Sequence, residues 1–362
     1  MSRIGVNALY LIPGGVGGTE IYLRELLAAL ARIDAVNEYC VFTNLETGGD
    51  LVPRQPNFHL KQQAVRARTR PARIFWEQTI LAAEASRYRL DVLFNPGFTA
   101  PVLAPCPCVT VFHDLQHKRH PEHFRWFDLP FWRLLLWASA RRSRSLIAVS
   151  NATRGDLLRY YKLAPERIAV VPHGVDPAFF ALDRSRVEDY VLCVSTLHPH
   201  KNLDRLIRAY GRRKCKYKMR DFRLVIAGMR GFAARPIEAL IAELGVGDSV
   251  ELTGWIPRKD LLRLYERARG FIYPSTFEGF GMPVLEAMAA GLPVACSSIP
   301  PLREVAGDTV MYFDPASEDE IEAAIEKTAS GVGSTEAAKN RAREFTWERA
   351  ARLTLEAILK SI

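Results

Sequence analysis

The sequence contains no apolar run long enough to span a bilayer, because the best candidate, Leu129 to Ala138, is interrupted by Arg133. Its six cysteines are scattered over 362 residues, and the one close pair, Cys106 and Cys108, has neither zinc-binding nor redox spacing. Low-complexity segments and short repeats are also absent. These absences argue against a membrane-spanning protein, a disulfide framework and a zinc module. Since Met1 to Tyr10 has the pattern of a buried strand rather than a signal sequence, we expect a cytoplasmic protein with reduced thiols.

The composition is that of a globular enzyme, with 48% apolar and 25% charged residues, and the length suits two domains. The net charge of +9 is unevenly placed. Residues 1–172 carry 22 Lys and Arg against 14 Asp and Glu, a net +8, whereas residues 173–362 carry 27 against 26. The basic first half indicates an anionic partner such as membrane phospholipid, a lipid diphosphate or nucleic acid. A generally basic proteome would give the same bias.

The order of apolar segments predicts alternating strands and helices, which is typical of parallel, doubly wound sheets. In the first half we expect strands at 4–9, 39–43, 91–95, 109–112 and 147–149, and helices at 19–33, at 73–86 and from Ser150 onward. After residues 170–177 the rhythm restarts, with strands at 190–194, 223–227, 250–252, 270–273 and 294–296 and helices between them. We therefore predict two domains, 1–172 and 173–345. An amphipathic helix over about 346–362 is expected to pack back on the first domain.

A glycine-rich turn, Pro13 to Gly18, follows the first predicted strand. Its backbone can approach a phosphate closely, because glycine has no Cβ. The spacing does not fit the dinucleotide fingerprint G-x-G-x-x-G, and the second strand runs to Asn44 without an acidic residue at its end. A Walker lysine pattern is absent as well. The turn is therefore expected to meet a diphosphate or a phosphorylated acceptor rather than a dinucleotide.

The most informative segment runs from Phe277 to Glu286. It places two carboxylates, Glu278 and Glu286, on either side of a glycine-rich turn and a proline. Pro283 suits the start of a helix, which is expected over 282–290, and the amides of that start would face a phosphate or a sugar hydroxyl. Two acids beside an anion cradle suit a ligand with a diphosphate and many hydroxyls, such as a nucleotide sugar. The alternative is a pair of surface glutamates around a turn.

Together these residues resemble the family 4 glycosyltransferases, over nearly the whole chain. The stretches that carry the resemblance follow predicted strands and are Gly14–Glu20, Phe112–Leu115, Val149–Thr153, Val171–Asp176, Val194–Leu203 and Phe277–Glu286. The resemblance implies the GT-B fold, in which two Rossmann-like, doubly wound α/β domains face each other across a cleft. The first domain would bind the acceptor and the second the nucleotide sugar. It also implies retaining transfer of a sugar from a nucleotide diphosphate donor without a catalytic metal.

By that resemblance, the catalytic residues are His113, Lys201 and Glu278. Lys201 would neutralise the donor diphosphate, Glu278 would lie beside the transferred sugar, and Glu286 would bind the ribose hydroxyls. His113 would bond a sugar hydroxyl or stabilise developing charge, with its neutral and charged forms both accessible near pH 7. The predicted donor-binding residues are Gly17, Gly18, Thr196, Lys201, Arg230, Glu278, Gly279, Phe280, Gly281, Met282 and Glu286, and the predicted acceptor-binding residues are Gly15, Asn95 and His117.

The sequence departs from the family at one phosphate contact. Many relatives carry an arginine a few residues before the lysine, where this chain has Thr196 and His198. His200 or Arg230 is a candidate replacement.

Purely structural alternatives remain for single residues. Taken alone, Lys201 is consistent with a solvated lysine at a helix start. His113 is consistent with a histidine bonded to Asp114 or to a backbone group at a strand end. A polar loop near the acceptor is expected to hold three further histidines, whose spacing predicts no metal site: His117, His120 and His123.

A segment of mixed aromatic and basic character follows the middle of the first domain. Its residues are Trp126, Phe127, Phe131, Trp132 and Trp137, followed by Arg141, Arg142 and Arg144, and Arg66, Arg68, Arg70 and Arg73 precede it. The segment is consistent with a membrane-facing surface. It is equally consistent with a buried core helix that has a basic end.

The stretch from His113 to Gln116 also resembles bacterial mannosyltransferases of surface-polysaccharide (lipopolysaccharide) assembly. We therefore predict a metal-independent hexosyltransferase that moves mannose from GDP-mannose to a lipid-linked or polysaccharide acceptor. It is expected in the cytoplasm or at the inner membrane face, where it would meet an anionic surface, with no cofactor and no nucleic-acid partner. One alternative is a GT-B enzyme that uses a UDP- or ADP-sugar with a small soluble acceptor. The other is a non-catalytic protein that binds a nucleotide sugar or nucleic acid.

Overall fold

The computed structural model describes residues 1–15, 17–217, 222–331 and 335–362. These residues form two compact units, one of residues 1–174 with 346–362 and the other of residues 175–345. The break falls close to the predicted boundary at 172/173. Each unit is built on its own parallel sheet and has its own apolar core.

The sheet of the first unit has seven parallel strands among the described residues. They are β1 (Arg3–Asn7), β2 (Glu38–Thr43), β3 (Phe58–Gln62), β4 (Val92–Asn95), β5 (Cys108–Phe112), β6 (Ser145–Ala148) and β7 (Ile168–Val170). Their order across the sheet is β3-β2-β1-β4-β5-β6-β7, and Val6 of β1, for example, pairs with Val41 on one side and Phe94 on the other. The central strands are buried because helices cover both faces of such a sheet.

The helices of the first unit connect successive strands. They are α1 (Gly18–Ile33), α2 (Arg70–Gln78), α3 (Ile80–Arg87), α4 (Gln116–Arg119), α5 (Leu129–Arg142) and α6 (Asn151–Tyr161). The prediction of one helix over 73–86 is wrong, because Thr79 ends α2 and begins α3. Ser150 caps α6 as its sequence indicates, since its hydroxyl accepts a hydrogen bond from the amide of Thr153 at 3.0 Å.

The second unit repeats this architecture with six parallel strands in its described part. They are β8 (Tyr190–Val194), β9 (Arg223–Ala227), β10 (Val250–Gly254), β11 (Gly270–Tyr273), β12 (Val294–Ser297) and β13 (Met311–Phe313), in the order β10-β9-β8-β11-β12-β13. In each sheet the strand that comes first in the sequence, β1 or β8, lies inside the sheet. The next two strands add on one side of it and the later strands on the other, so the direction of winding reverses beside it. This is the strand order of Rossmann domains, and the reversal lies between β1 and β4 and between β8 and β11. The predicted fold class of two doubly wound parallel-sheet domains is therefore confirmed.

The helices of the second unit are α7 (Leu203–Tyr217), α8 (Ala234–Glu243), α9 (Arg258–Arg267), α10 (Met282–Ala289), α11 (Pro300–Ala306), α12 (Glu318–Ala329) and α13 (Thr335–Ala342). The last helix, α14 (Trp347–Leu359), belongs to the first unit and packs against α1. Nη2 of Arg32 lies 2.6 Å from Oε1 of Glu348 across this contact. Over the described ranges, none of the helices combines the length and the apolar character that crossing a bilayer requires.

Candidate active site

The predicted donor-binding residues of the second unit follow the two strands at which its winding reverses. Lys201 lies in the loop after β8, whereas Glu278 and Glu286 follow β11. Since β8 and β11 are neighbours in a parallel sheet, their carboxyl ends lie side by side. Ligands of doubly wound sheets bind outside the carboxyl ends of the strands at this point. The fold therefore brings residues that are far apart in the sequence to the expected ligand site.

Lys201 and Glu278 form an ion pair in this site. Nζ of Lys201 lies 2.6 Å from Oε1 of Glu278 and donates to the hydroxyl of Tyr273 at 2.9 Å. The side chains of the pair are 13% and 12% exposed, so solvent screens their attraction weakly. Burial by itself would raise the pKa of Glu278, but the charges of Lys201 and His200 and the hydrogen bonds to the carboxylate hold that pKa below its usual value. Glu278 is therefore ionised at neutral pH.

Hydrogen bonds fix the loop that carries Lys201. The carbonyl of His200 accepts from the amide and the hydroxyl of Thr276, at 2.8 and 3.1 Å, and from the hydroxyl of Ser275 at 3.1 Å. Asn202 has a left-handed backbone (φ 56°, ψ 33°), a conformation that asparagine tolerates better than most residues. Its Nδ2 donates to the carbonyl of Pro274 at 3.1 Å. The loop after β8 is thus tied to the loop after β11, which keeps the lysine beside the glutamate.

The glycine-rich segment ends at the start of α10. Gly281 is the N-cap residue, with φ 110° and no side-chain cap, and Pro283 lies in the first helical turn as its sequence indicates. A Cβ at residue 281 would approach Cδ2 of Leu302 to 2.4 Å, so the position requires glycine. Pro283 has no N–H and the amide of Val284 donates to the carbonyl of Gly281 at 3.1 Å, so the amide of Met282 is the first-turn donor that suits an oxygen-rich ligand, and the helix dipole favours an anion there. The predicted contacts from Gly279 to Met282 lie at this helix start.

Glu286 lies one turn further into α10, where its side chain is buried. Its Oε2 accepts a hydrogen bond from the hydroxyl of Tyr265 at 2.9 Å. Burial raises the pKa of Glu286 to about 7, although this hydrogen bond and the charge of Arg258 act in the opposite direction. The carboxyl group therefore changes its protonation state in the physiological range. In its ionised form it is an acceptor for hydroxyl groups, which is what its predicted ribose contact needs.

The structure distinguishes the two candidates for the second phosphate contact. The guanidinium of Arg230 pairs with Glu238 of α8, and the Arg230 side chain is 64% exposed. His200 is next to Lys201 in the chain, and its charge acts on Glu278. Its ring stacks on that of His198, with the ring centres 5.9 Å apart. The structure therefore places His200 next to the Lys201–Glu278 pair, whereas Arg230 is paired with Glu238 on the surface.

Two further predicted donor contacts, Thr196 and Phe280, differ in their surroundings. Thr196 lies in the loop after β8, where its carbonyl accepts from the amide of His198 at 2.8 Å. Phe280 is buried, and its ring packs edge-on against Phe345 at 5.9 Å. The ring of Phe280 thus belongs to the core of the second unit, so a ligand contact at this residue falls to its backbone.

In the first unit, the glycine-rich turn links β1 to α1 at the winding reversal of the sheet. Gly14 and Gly17 have positive φ angles of 67° and 59°. The amide of Gly14 donates to a carboxylate oxygen of Glu20 at 2.8 Å, which closes the turn on the first turn of α1. Val16 lies outside the described residues. The glycines predicted to bind ligand all lie in this turn or at the first position of α1, and they are Gly15, Gly17 and Gly18.

His113 follows β5 and is buried among aromatic rings. Its Nε2 donates to the carbonyl of Pro96 at 2.8 Å, which is the backbone contact that its sequence left open. Its ring centre lies 4.8 Å from that of Tyr22 and 5.5 Å from that of His173. Burial lowers the pKa of His113 to about 4, so the imidazole is neutral at physiological pH. The expectation that its charged form is accessible near pH 7 is therefore wrong, and His113 can act on a sugar as a hydrogen-bonding group but not as a cation.

Asn95 and His117, both predicted to bind the acceptor, have internal partners. Asn95 ends β4, and its Oδ1 accepts from Nδ2 of Asn7 at 3.0 Å. His117 lies in α4 with its Nε2 2.9 Å from the hydroxyl of Tyr161, and burial lowers its pKa to about 4. The polar loop expected around His117 is thus partly core. Asn95 lies at the winding reversal with the glycine-rich turn, whereas His117 lies away from it.

In the described part of the chain, one cluster contains three side chains of the kinds that bind metal ions, two histidines and a glutamate. The ligand atoms of His120, Glu122 and His123 all lie within 4.8 Å of one another. Nδ1 of His120 is hydrogen bonded to Glu122 at 2.9 Å, and the two imidazoles stack with their centres 5.3 Å apart. These mutual contacts account for the cluster without a metal ion.

Three side chains of the site were not predicted from the sequence. Tyr273 contacts Nζ of Lys201, Tyr265 contacts Glu286, and Arg258 acts on the charge of Glu286. Tyr273 ends a predicted strand shortly before the glutamates, and this position was a usable signal. Tyr265 and Arg258 belong to α9, whose sequence shows an amphipathic pattern and nothing that connects it with Glu286.

Two doubly wound domains, with a lysine, two glutamates and a glycine-capped helix start at the strand ends of the second, define the class of GT-B glycosyltransferases. Two family models match the chain, "Glycosyltransferase Family 4" over residues 16–179 and "Glycosyl transferases group 1" over residues 177–345. The O-antigen chain mannosyltransferase B of Escherichia coli is 31% identical over an alignment of 369 positions, gaps included, which covers 94% of this chain and 95% of that protein. The chain therefore belongs to the family 4 glycosyltransferases.

Other similar proteins agree with this assignment. The MMP alpha-(1->4)-mannosyltransferase of Mycolicibacterium hassiacum is 30% identical over an alignment of 272 positions, gaps included, which covers 70% of this chain and 65% of that protein. The structure of WaaG, a glycosyltransferase involved in lipopolysaccharide biosynthesis, matches with a TM-score of 0.74 at 20% identity over 98% of this chain and 99% of that chain. Sucrose-phosphate synthase from Thermosynechococcus elongatus matches with a TM-score of 0.80 at 19% identity over 99% of both chains. These structural matches confirm the GT-B fold.

Proposed function

We propose that this chain is a retaining mannosyltransferase that moves mannose from GDP-mannose to a lipid-linked or polysaccharide acceptor in surface-glycan synthesis. The observation that carries the proposal is the buried pair of Lys201 and Glu278 beside the start of α10, with Glu286 one turn further along. The names of the relatives in E. coli and M. hassiacum support mannose as the sugar. The reaction would take place in the cytoplasm, at the inner face of the membrane that holds a lipid-linked acceptor.

In the proposed reaction, the bond between the anomeric carbon and the donor phosphate breaks. The acceptor oxygen bonds to that carbon on the same face. Negative charge grows on the leaving diphosphate, where the ammonium of Lys201, the amide of Met282 and the dipole of α10 stabilise it. The carboxylate of Glu278 accepts hydroxyl bonds from the sugar and favours the positive charge that develops at the anomeric carbon. A leaving phosphate oxygen takes the proton of the acceptor hydroxyl, so the reaction needs no further base.

We also propose that the nucleotide sugar is the only small molecule required besides the acceptor. Lys201 and the start of α10 supply positive charge at the position proposed for the diphosphate, which is the role a divalent cation would otherwise fill. Addition of a chelator such as EDTA is expected to leave kcat/KM unchanged. A loss of activity that Mg²⁺ or Mn²⁺ restores would contradict metal independence.

The proposal is tested with GDP-mannose, UDP-glucose and ADP-glucose in separate reactions with the purified chain. Each donor is offered a synthetic polyprenyl-diphosphate saccharide or a small sugar phosphate, and released nucleotide and product mass are measured. We expect turnover with GDP-mannose and the lipid-linked acceptor, an α-linked product by NMR, and loss of turnover in Glu278→Ala. Preference for a UDP- or ADP-sugar with the soluble acceptor would establish the alternative enzyme. Donor binding without turnover on any acceptor would indicate a binding protein.

A further inference from the structure

Helix α5 and the residues just before it expose an apolar face to solvent. Its members, here called the aromatic stripe, are Trp126, Phe127, Phe131, Leu134 and Trp137, whose side chains are 83%, 57%, 50%, 63% and 43% exposed. From Phe127 onward they recur every three or four residues, which places them on one side of the helix. Residues on the other side, including Leu136 and Ala140, pack into the core of the first unit. Helix α5 thus has two apolar faces, and only one of them packs into the core of the first unit.

An exposed stripe of this kind marks an interaction surface. Single exposed apolar residues are ordinary, but here three lie on one side of a helix and two more in the turn before it, within twelve residues. Two of the five are Trp, whose apolar ring carries a polar N–H and which lies at the headgroup level of membranes, while Phe and Leu supply the apolar surface of interfacial helices. The alternative of a fully buried core helix is therefore wrong for this segment.

Cations border the aromatic stripe at both ends. At its start, the guanidinium of Arg125 lies 6.0 Å from the ring centre of Phe127. At its end, the guanidinium of Arg141 lies 5.7 Å from the ring centre of Trp137. In such a pair the aromatic ring can contact the acyl chains of a lipid while the neighbouring guanidinium contacts its phosphate.

A basic hollow follows the end of the stripe. It has a volume of about 760 Å³ and lies at the amino-terminal ends of β6 and β7. His113 follows the carboxyl end of β5, at the other end of the parallel strands. Its charged lining residues are the basic Arg142, Arg144, Arg167 and Lys360 and the acidic Glu166 and Glu356. The positive excess at this point suits the phosphate of a lipid headgroup.

The net charge of the first unit distinguishes between two possible partners of this surface, a second copy of the chain and an anionic membrane. Because residues 1–172 carry a net +8, two copies of the first unit repel each other, whereas an anionic bilayer attracts them. The helical part of the stripe, Phe131 to Trp137, is also one helix wide and only about 9 Å long at 1.5 Å per residue. This shape suits a helix that lies in a membrane interface better than a stable dimer contact. We propose that the aromatic stripe docks the first unit on an anionic membrane, with its rings at the headgroup level and its bordering arginines against lipid phosphates.

The position of the stripe connects docking with the acceptor, and this connection rests on the proposed function. Residues 113–128 lead from the carboxyl end of β5, where His113 lies, to the start of the stripe. Because α5 connects β5 to β6, the stripe begins on the carboxyl-end side of the sheet, where the acceptor-binding prediction places Gly15 and Asn95, and runs toward the amino-terminal ends of the strands. A lipid-linked acceptor then keeps its lipid in the membrane while its saccharide reaches the carboxyl-end side. Docking itself requires neither donor nor acceptor.

The test is co-sedimentation of the purified full chain with sucrose-loaded vesicles. Vesicles of phosphatidylcholine alone are compared with vesicles that contain 30% phosphatidylglycerol, about as anionic as bacterial inner leaflets. We expect binding to the anionic vesicles at low salt, weak binding to the neutral vesicles, and a clear decrease at high salt because exposed charges are screened. Equal binding to both kinds of vesicle, or none to either, would overturn the proposal.

Two exposed leucines of the first unit provide a matched pair of variants. Leu134 lies in the stripe and Leu103 in a loop outside it, with exposures of 63% and 78%. Because both are on the surface, Leu→Gln at either is expected to leave folding intact, which circular dichroism verifies. We expect L134Q to weaken the partition onto anionic vesicles by about tenfold and L103Q to leave it unchanged. Equal partition of the two variants would show that the stripe is not the docking surface.

Two further readouts separate the outcomes. GDP binding without vesicles is expected to be the same in L134Q and the wild type. Vesicle binding without mannosyl transfer would support docking and contradict the proposed function. Mannosyl transfer without vesicle binding would support the proposed function and contradict docking. Light scattering tests self-association, and a dimer that L134Q abolishes would identify the stripe as a contact between copies, which also overturns membrane docking.

Discussion

Nζ of Lys201 lies 2.6 Å from Oε1 of Glu278, and both groups are nearly buried. The cation proposed to bind the diphosphate and the carboxylate proposed to face the sugar therefore hold each other in place. Tyr273 adds a second contact to the same ammonium. Such mutual support fixes the charged groups before the reaction and reduces the reorganisation needed during it.

Removal of one partner of this pair should affect both stability and activity. Lys201→Ala leaves the Glu278 carboxylate buried without its cation, which is expected to cost about 3 kcal/mol in the free energy of unfolding. The double variant Lys201→Ala/Glu278→Gln removes both charges and should recover much of this loss. Neither variant should transfer sugar at more than about 1% of the wild-type kcat/KM, since each lacks the cation at the diphosphate. Denaturant unfolding and initial rates measure the two effects, and a single variant with unchanged stability would refute the buried pair.

Donor binding should depend on pH through Glu286. Burial raises the pKa of this residue to about 7, so its carboxylate is mostly ionised at pH 8 and mostly protonated at pH 6. A contact to ribose hydroxyls that needs the ionised form should weaken by up to about tenfold between these pH values. Calorimetry of GDP binding from pH 5.5 to 8.5 measures the change. Tyr265→Phe removes a hydrogen bond that favours the ionised form, so its profile should move to higher pH, whereas a profile that stays in place would contradict this origin.

The ionisation of Glu286 should lower the stability of the fold as the pH rises, whereas it strengthens donor binding. Its folded-state pKa of about 7 lies above the ordinary value of 4.5, so the group contributes stability below pH 4.5, and this contribution is lost as the pH rises through 7. Glu286→Gln does not titrate and keeps the shape of the side chain. At pH 8 this variant should melt at a higher temperature than the wild type while it binds GDP more weakly. A variant that melts lower at pH 8 would show that the ionised carboxylate stabilises the fold.

His113 should remain neutral throughout the physiological range. Because a carbonyl oxygen accepts but does not donate, the contact with Pro96 places the proton of the ring on Nε2. Burial lowers the pKa of the ring to about 4, so NMR of ¹⁵N-histidine-labelled protein should show the Nε2–H tautomer without titration between pH 5.5 and 8. Titration of His113 near pH 6.5 would contradict its burial.

The glycine at the start of α10 should tolerate no side chain. At residue 281, φ is 110° and a Cβ would meet Leu302 at 2.4 Å, so Gly281→Ala is expected to destabilise the fold by about 1–3 kcal/mol and to weaken GDP binding. Gly247 is the matched control, because it is exposed and a Cβ there meets nothing within 4 Å. Thermal unfolding and calorimetry compare the two. Equal effects of G281A and G247A would show that the strained turn is not required.

The sequence predicted the inner strands of both sheets and the edge strand β10, but it missed the edge strands β3 and β13. Residues 270–273 were predicted with the bounds of β11, because a fully buried strand reads as an unbroken apolar run. β3 was missed since only Phe58 of Phe58–Gln62 is buried, so the segment lacks that run. β13 is three residues long and half-buried, too short for a pattern to emerge.

The candidate site shows a similar division. Lys201, Glu278 and Glu286 were predicted because each follows a strand within a recognisable motif, and the strand order then brings them to one point. The partners that set their charges were not predictable, since Tyr265 reaches Glu286 through the packing of α9 against α10. For the same reason, the sequence did not reveal that Tyr161 contacts His117 from 44 residues away. Protonation states depend on such packing, which a motif does not encode.

A crystal structure of the chain with GDP-mannose tests the central claim most directly. The account predicts that the diphosphate lies within hydrogen-bonding distance of Lys201 Nζ and of the amides at the start of α10. It also predicts that the ribose hydroxyls meet the Glu286 carboxylate and that the mannose lies beside Glu278. A diphosphate bound elsewhere in the second unit, with Lys201 and Glu286 making no contact to the nucleotide, would contradict it.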